Sequence, residues 1–251
     1  MSSLDDALQA RLARVHERIS AAALGAGRDR ASITLLAVSK TFDAEHVLAA
    51  ARAGLRAFGE NYVQEGVEKI ARVREAAPQL ALDWHFIGPI QSNKTRLLAE
   101  SFAWVQSIDR ARIAQRLAEQ RPRHLPALNV LLQVNISGEA TKSGVPADAV
   151  ADLADAVAAL PGLRLRGLMA IPAPTADPAQ QRQPFARLRR LQEQLCARGH
   201  ALDTLSMGMS DDLEAAILEG ATMVRLGTAI FGSRSPAPAT AGSLKKLLPS
   251  D

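Results

Sequence analysis

Cysteine is nearly absent from this chain: Cys196 is the only one in 251 residues. That excludes an intrachain disulfide and any cysteine-built metal cluster, and it fits a reducing cytoplasm. Aromatic residues are scarce at 4%, with a single tyrosine, Tyr62. No apolar run approaches the ~20 residues of a membrane-spanning helix. The N-terminal "MSSLDDALQARLARV" carries Asp5 and Asp6 where a signal peptide or anchor would carry an apolar segment. Charge of one sign is not in large excess: 30 Lys and Arg against 26 Asp and Glu leave +4, scattered along the chain rather than gathered into a stripe with aromatics. Nucleic acid and membrane are therefore not expected partners, while small anionic ligands stay open. What the chain does have is apolar residue, 47% of it, enough for a sizeable core without cross-links.

Hydrophobic spacing organises that material. Leu4, Leu8, Leu12, Val15 and Ile19 recur at steps of four and three, which predicts an amphipathic first helix ending near Gly25 and Gly27. Eight short apolar runs follow: Ile33 to Lys40, Ala57 to Glu60, Leu82 to Ile87, Trp104 to Ile108, Asn129 to Ile136, Leu163 to Ile171, Thr204 to Met207 and Met223 to Leu226. Helical patterns separate them at about 44–53, 61–76, 93–100, 110–120, 147–160, 180–198 and 211–219, several ending at a glycine such as Gly54, Gly199 or Gly220. The runs are nearly continuous rather than alternating, as in a parallel sheet covered by helices. Repeated strand-then-helix order predicts an α/β fold, a (β/α)8 TIM barrel with one extra N-terminal helix. An open doubly wound sheet would usually show a glycine-rich turn after its first strand, and "SKTF" has none. One domain is expected over residues 1–234, with a flexible tail over 235–251.

In such a barrel the ligand sits at the carboxyl ends of the strands. The polar residues at those ends are Lys40, Glu60 with Asn61, His85, Asn135, Ser206 and Arg225. Lys40 has two readings: a lysine leaving a strand into water, or a partly desolvated amine able to form a Schiff base with a carbonyl. "LSMGMSDDLEAAI" puts Ser206, Gly208 and Ser210 before a helix start marked by Asp211 and Glu214, a capping-box pattern. "MVRLGTAIFG" puts Gly227 and Thr228 just after the last strand. Loops after the seventh and eighth strands often hold a phosphate. A Schiff-base lysine and a phosphate cradle together suggest a phosphorylated aldehyde.

Seven motifs in order, "LLAVSKTF", "FGENYVQEG", "WHFIGPIQSNK", "VNISGEATKSG", "GLMAIP", "SMGMSDDLEAAI" and "VRLGTAIFG", closely resemble the pyridoxal-phosphate homeostasis family, which is related to the barrel domain of alanine racemase. The resemblance implies that Lys40 holds pyridoxal 5'-phosphate as an internal aldimine. It implies phosphate contacts at Ser206, Gly227 and Thr228, with Met207 and Gly208 as loop neighbours. Arg225 matches the arginine facing the pyridine nitrogen, and Asn61 and His85 match positions near the ring. An arginine there keeps that nitrogen unprotonated and weakens the ring as an electron sink. His85 can equally be a core histidine packed beside Trp84 and Phe86, and Lys142 either a solvated loop lysine or a second amine for cofactor transfer. No metal ligand set is read.

Many relatives continue after the lysine with Thr-Lys-Pro, whereas this chain has Thr41, Phe42 and Asp43. The tail after "IFGSR" also lacks the aromatic residue sometimes found there. A racemase of this type would bring a second domain and a catalytic tyrosine, but the chain ends soon after its eighth strand and Tyr62 lies in the second strand-helix unit. The expectation is a monomeric, cytoplasmic carrier of vitamin B6 that exchanges cofactor with apoenzymes. The alternatives are an amino-acid racemase, a cofactor-free aldolase using Lys40 with Glu60 as proton shuttle, and a barrel for another phosphorylated metabolite.

Overall fold

The computed structural model describes residues 3–139 and 142–232. The expected tail, 235–251, lies outside the described residues. Strands β1 (Thr34–Val38), β2 (Ala57–Glu60), β3 (Asp83–Phe86), β4 (Trp104–Ile108), β5 (Leu128–Asn135), β6 (Val145–Pro146), β7 (Leu163–Met169), β8 (Thr204–Ser206) and β9 (Met223–Leu226) are all parallel. Their order is β4-β3-β2-β1-β9-β8-β7-β5, and β4 also pairs with β5, which closes the ring. Two-residue β6 flanks β5 outside that ring. The eight expected strands are therefore the eight staves of a closed TIM barrel, and β6 is an addition that periodicity did not indicate.

Helices α1 (Ser3–Gly25), α2 (Ala44–Arg52), α3 (Val63–Ala76), α4 (Thr95–Ser101), α5 (Ala111–Gln120), α6 (Val150–Ala158), α7 (Pro178–Ala197) and α8 (Leu213–Leu218) cover the staves, and a four-residue α9 (Thr228–Phe231) follows β9. Alternation along a strand splits the side chains into two sets. Leu35 and Ala37 face the helices as part of the main core, while Leu36 points inward to a small cluster with Ala57, Met223 and Ile87. The α1 stripe behaves as its spacing predicts: Leu8, Leu12, Val15 and Ile19 are buried. Each contributes about 1.5–3 kcal/mol of apolar transfer. Arg11 Nε donates to the Ile230 carbonyl at 2.7 Å and Arg18 pairs with Glu214 at 2.8 Å, so α1 is tied to both C-terminal helices.

Two boundaries differ from expectation in ways that shape the mouth. β1 ends at Val38 instead of Lys40, because the Phe42 amide donates back to the Ser39 carbonyl and the chain turns over residues 39–42. The capping box before α8 does not form. Asp212 occupies the cap position without bonding forward, its Oδ1 accepts instead from the Met209 amide at 2.5 Å, and Glu214 is committed to Arg18. The loop before α8 is thus held by an acid bonding backward along the chain.

Candidate functional site at the barrel mouth

Lys40 is half-buried on the β1–α2 turn, and among the described residues its Nζ has no hydrogen bond or ion pair. The backbone on both sides of it is clamped. Glu60 shares the outward face of β2 with Phe58, and there it meets Lys69 of α3 at 2.7 Å with both side chains buried. Lys69 Nζ also donates to the Ser39 carbonyl at 2.7 Å and to Glu65 Oε1 at 2.9 Å. Glu65 Oε1 in turn accepts the Thr41 amide at 2.5 Å, and the Ser39 hydroxyl donates to Glu60 at 2.6 Å. Residues 39 and 41 are therefore gripped by one ion cluster while residue 40 is left free. Thr41 adopts φ 67°, the only non-glycine positive φ among the described residues. A β-branched residue there is a strained outlier costing about 1–3 kcal/mol. Burial pushes the Glu60 carboxyl above its ordinary range, opposed by the Lys69 charge. Its Oε2 and the neighbouring Asn61 Oδ1 are both buried without a hydrogen-bond partner among the described residues.

Below the mouth a polar chain crosses the barrel interior. Arg225 Nη1 donates to Ser206 Oγ at 2.9 Å, and Nη2 donates to the Ala170 carbonyl at 2.9 Å. Ser206 Oγ donates to Gln106 Oε1 at 2.6 Å, and Gln106 Nε2 bonds His85 Nδ1 at 2.9 Å. That geometry makes Nδ1 the acceptor and leaves the imidazole proton on Nε2. His85 stacks on Trp104, ring centroids 5.0 Å apart, and burial lowers its pKa to about 3, so it is neutral. It faces inward, whereas Trp84 and Phe86 face the helix layer against Phe58 and Phe102. Burial lowers Arg225 to about 10, with the Asp212 carboxylate opposing the shift, and the guanidinium keeps its charge at neutral pH. Asp212 is itself raised by burial.

Beside β1, two glycines set the loops after β8 and β9, the next two staves of the ring. Gly208 has φ +92°, and a Cβ there would lie 2.6 Å from the Ala216 Cβ. Gly227 is pressed against β1, where a Cβ would stand 3.2 Å from the Val38 carbonyl. It caps α9 without a side-chain bond, so the first amides of that helix, starting at exposed Thr228, point out of the turn without internal acceptors. Phe42 ties this loop to the Lys40 turn: its ring lies 4.9 Å from Phe231 and 5.3 Å from His46. Phe42 is thus an apolar strut between the turns that follow the neighbouring strands β1 and β9.

A family model described as alanine racemase, N-terminal domain, matches residues 6–235. The pyridoxal phosphate homeostasis protein of Pseudomonas aeruginosa is 62% identical over 89% of this chain and 94% of its own. Its Escherichia coli K12 counterpart is 56% identical over 89% and 95%. The chain belongs to the pyridoxal phosphate homeostasis protein family. Among solved structures, PipY of Synechococcus elongatus with pyridoxal phosphate bound superposes with a TM-score of 0.76 at 32% identity, covering 90% of this chain and all of that one. Alanine racemase of Clostridium difficile shares the fold alone, at 15% identity and a TM-score of 0.69 over 92% of this chain and 58% of its own.

Seen as a homeostasis-family barrel, the structure brings Lys40, Asn61, Gly208, Arg225, Gly227 and Thr228 to the carboxyl ends of the strands. Ser206 and His85 lie deeper, joined through Gln106, and the Ser206 hydroxyl is already engaged on both its donor and acceptor sides. The Met207 side chain is fully buried among the helices, so only its backbone belongs to the loop. Lys142 is half-buried on the β5–β6 connection. Its amide donates to the Glu139 carbonyl at 3.0 Å, and its carbonyl accepts from Asn135 Nδ2 at 3.3 Å. Sequence reasoning missed Gln106, Glu65 and Lys69. A glutamine in mid-strand within "WVQSID" was a signal for the first; the other two look like an ordinary i,i+4 surface pair.

Proposed function

We propose that this chain binds pyridoxal 5'-phosphate covalently through Lys40 and serves vitamin B6 homeostasis as a carrier, buffering the aldehyde and handing it to apoenzymes rather than catalysing a reaction. Residues 1–234 act as the single binding domain of a cytoplasmic monomer. The observation that carries this reading is the unpaired Lys40 amine, left free by a clamp on both neighbours on the stave next to the glycine-bounded loops after β9 and β8.

When bound, the cofactor supplies an aldehyde that condenses with a lysine amine and a phosphate dianion that attracts N–H donors. The residues present fit both. Gly227 and Thr228 offer the uncapped amides of α9 to the phosphate, with Ser206, Met207 and Gly208 forming the adjoining loop. Asn61 Oδ1 is a buried, unsatisfied acceptor that a bound group would complete. With the cofactor bound, Asn61 would stand on the ring side with His85 beneath it at the end of the polar chain, and charged Arg225 would face the ring nitrogen and keep it unprotonated, which would disfavour carbanion chemistry. Glu60 is turned outward to Lys69, away from any proton shuttle with Lys40, which counts against a cofactor-free aldolase. Support from relatives is the shared name of the P. aeruginosa and E. coli proteins and the ligand in PipY.

The test is an absorption spectrum of the purified protein with added cofactor. A visible band that borohydride fixes on Lys40, disappears in Lys40→Ala and can be chased into an apoenzyme in the presence of a trap is expected. No band in the wild type would refute binding, and α-proton exchange of amino acids at an enzyme-like rate would refute the carrier role.

A further inference from the structure

Helix α7 and its cap residue carry an unequal set of arginines. Arg182 and Arg189 pair with Glu219, Arg189 also pairs with Glu193, and Arg198 pairs with Asp155. Arg187 and Arg190 have no ion pair or hydrogen bond among the described residues. Both line a cleft of about 530 Å³ between α7 and the β5–β6 connection, walled also by Ile136, Ser137, Pro146 and Leu191.

The geometry points to this cleft as a second ligand site, for a small anion with an apolar body such as the phosphate monoester of an aromatic alcohol. Like charges three residues apart on a helix are neighbours at about 5–6 Å and repel. Here each lacks a carboxylate of its own, so an anion bridging both would relieve the repulsion. Guanidinium forks match phosphate and carboxylate oxygens bidentately. Ser137 Oγ accepts from the Ala173 amide at 3.3 Å, which leaves its own proton available to a ligand oxygen. Ile136, Pro146 and Leu191 supply the apolar wall for the remainder of the ligand. A few polar groups converging on an apolar concavity of this volume is the usual build of a small-molecule site. Asn135 lines the cleft from the carboxyl end of β5, so the cleft opens on the same end of the barrel as Lys40 but shares no lining residue with the proposed cofactor contacts.

Phenyl phosphate titrated into the isotopically labelled full-length protein tests the assignment. Saturable shifts at the Ser137 and Gly138 amides are expected, at least tenfold weaker in affinity in Arg187→Gln/Arg190→Gln and unchanged in Lys40→Ala. Shifts at Thr228 report the barrel mouth separately and should survive the double arginine substitution. Inorganic phosphate and benzyl alcohol should each bind the cleft at least tenfold more weakly than phenyl phosphate. Equal affinity in wild type and the double variant, or shifts confined to Gly227 and Thr228, would overturn the site. Inorganic phosphate binding as tightly as the ester would overturn the apolar component, and displacement of the ester by a tighter-binding oligoglutamate would overturn the small-molecule assignment.

Discussion

Glu65 should matter to cofactor binding only because Thr41 is strained. The Thr41 backbone sits at φ 67°, and the group opposing that strain is Glu65, whose carboxylate accepts the Thr41 amide at 2.5 Å. A hydrogen bond to a charged group contributes about 1.5–3 kcal/mol, against a strain of about 1–3 kcal/mol. Glu65→Ala removes the first term and leaves the second. A loss of about 2 kcal/mol from the held conformation lowers its weight roughly thirtyfold, and apparent affinity falls with the competent fraction. Glycine takes positive φ without penalty. In a Thr41→Gly background the same Glu65→Ala change should therefore cost less than about fivefold, a coupling of at least about 1 kcal/mol. The pyridoxal phosphate dissociation constant, read from the visible band, gives the cycle its four corners. Hydrogen exchange of the residue 41 amide in cofactor-free protein gives an independent reading and should accelerate in Glu65→Ala. Additive effects within about 0.5 kcal/mol, or exchange left unchanged, would refute the clamp.

Three further outcomes follow from the barrel interior. His85 titrates near 3 in the fold against 6.5 for the free side chain, so the unfolded chain takes up the proton first on acidification. Stability from this group is complete above pH 6.5 and is lost as the pH falls towards 3. The loss is about 2 kcal/mol at pH 5, and urea unfolding of His85→Gln at the two pH values should lack that increment. Gln106→Leu strands the Ser206 hydroxyl and the His85 ring together. Its urea midpoint should drop by an amount equivalent to about 2–4 kcal/mol, more than an ordinary core substitution of similar volume would cost. Gly208→Ala must accept φ +92° and a Cβ contact of 2.6 Å, so calorimetry should find it destabilised by about 2 kcal/mol or more, with phosphate affinity reduced as well. An alanine tolerated there without a change in melting temperature would refute the packing argument.

Much of the site was readable because barrel chemistry gathers at strand ends, and a strand end is visible in a sequence as a polar residue closing an apolar run. Lys40, Asn61 and Arg225 are reached in that way, and the glycines of "SMGMS" and "RLGTA" from the loops that follow the last two strands. The conformation of the loop before α8 is not. "SDDLE" reads as a capping box, but Glu214 is drawn off by Arg18 of α1, a partner 196 residues away. Sequence alone does not divide His85 between core and site, and the structure shows why: it is a buried, stacked histidine that is also the far end of the chain running from Arg225.

Periodicity and punctuation alone determined the eight staves, their covering helices and the N-terminal helix, because alternation of apolar runs and 3.6-residue patterns is a local property of the chain. The tertiary structure alone decided what holds Lys40. Glu60, Glu65 and Lys69 are ordinary charges in sequence, and only the packing of α3 against β2 buries Glu60 and Lys69, brings both carboxylates within 3 Å of the Lys69 amine and turns the cluster onto the backbone at Ser39 and Thr41. Burial and strain are properties of the assembled barrel, and no window of the sequence contains them.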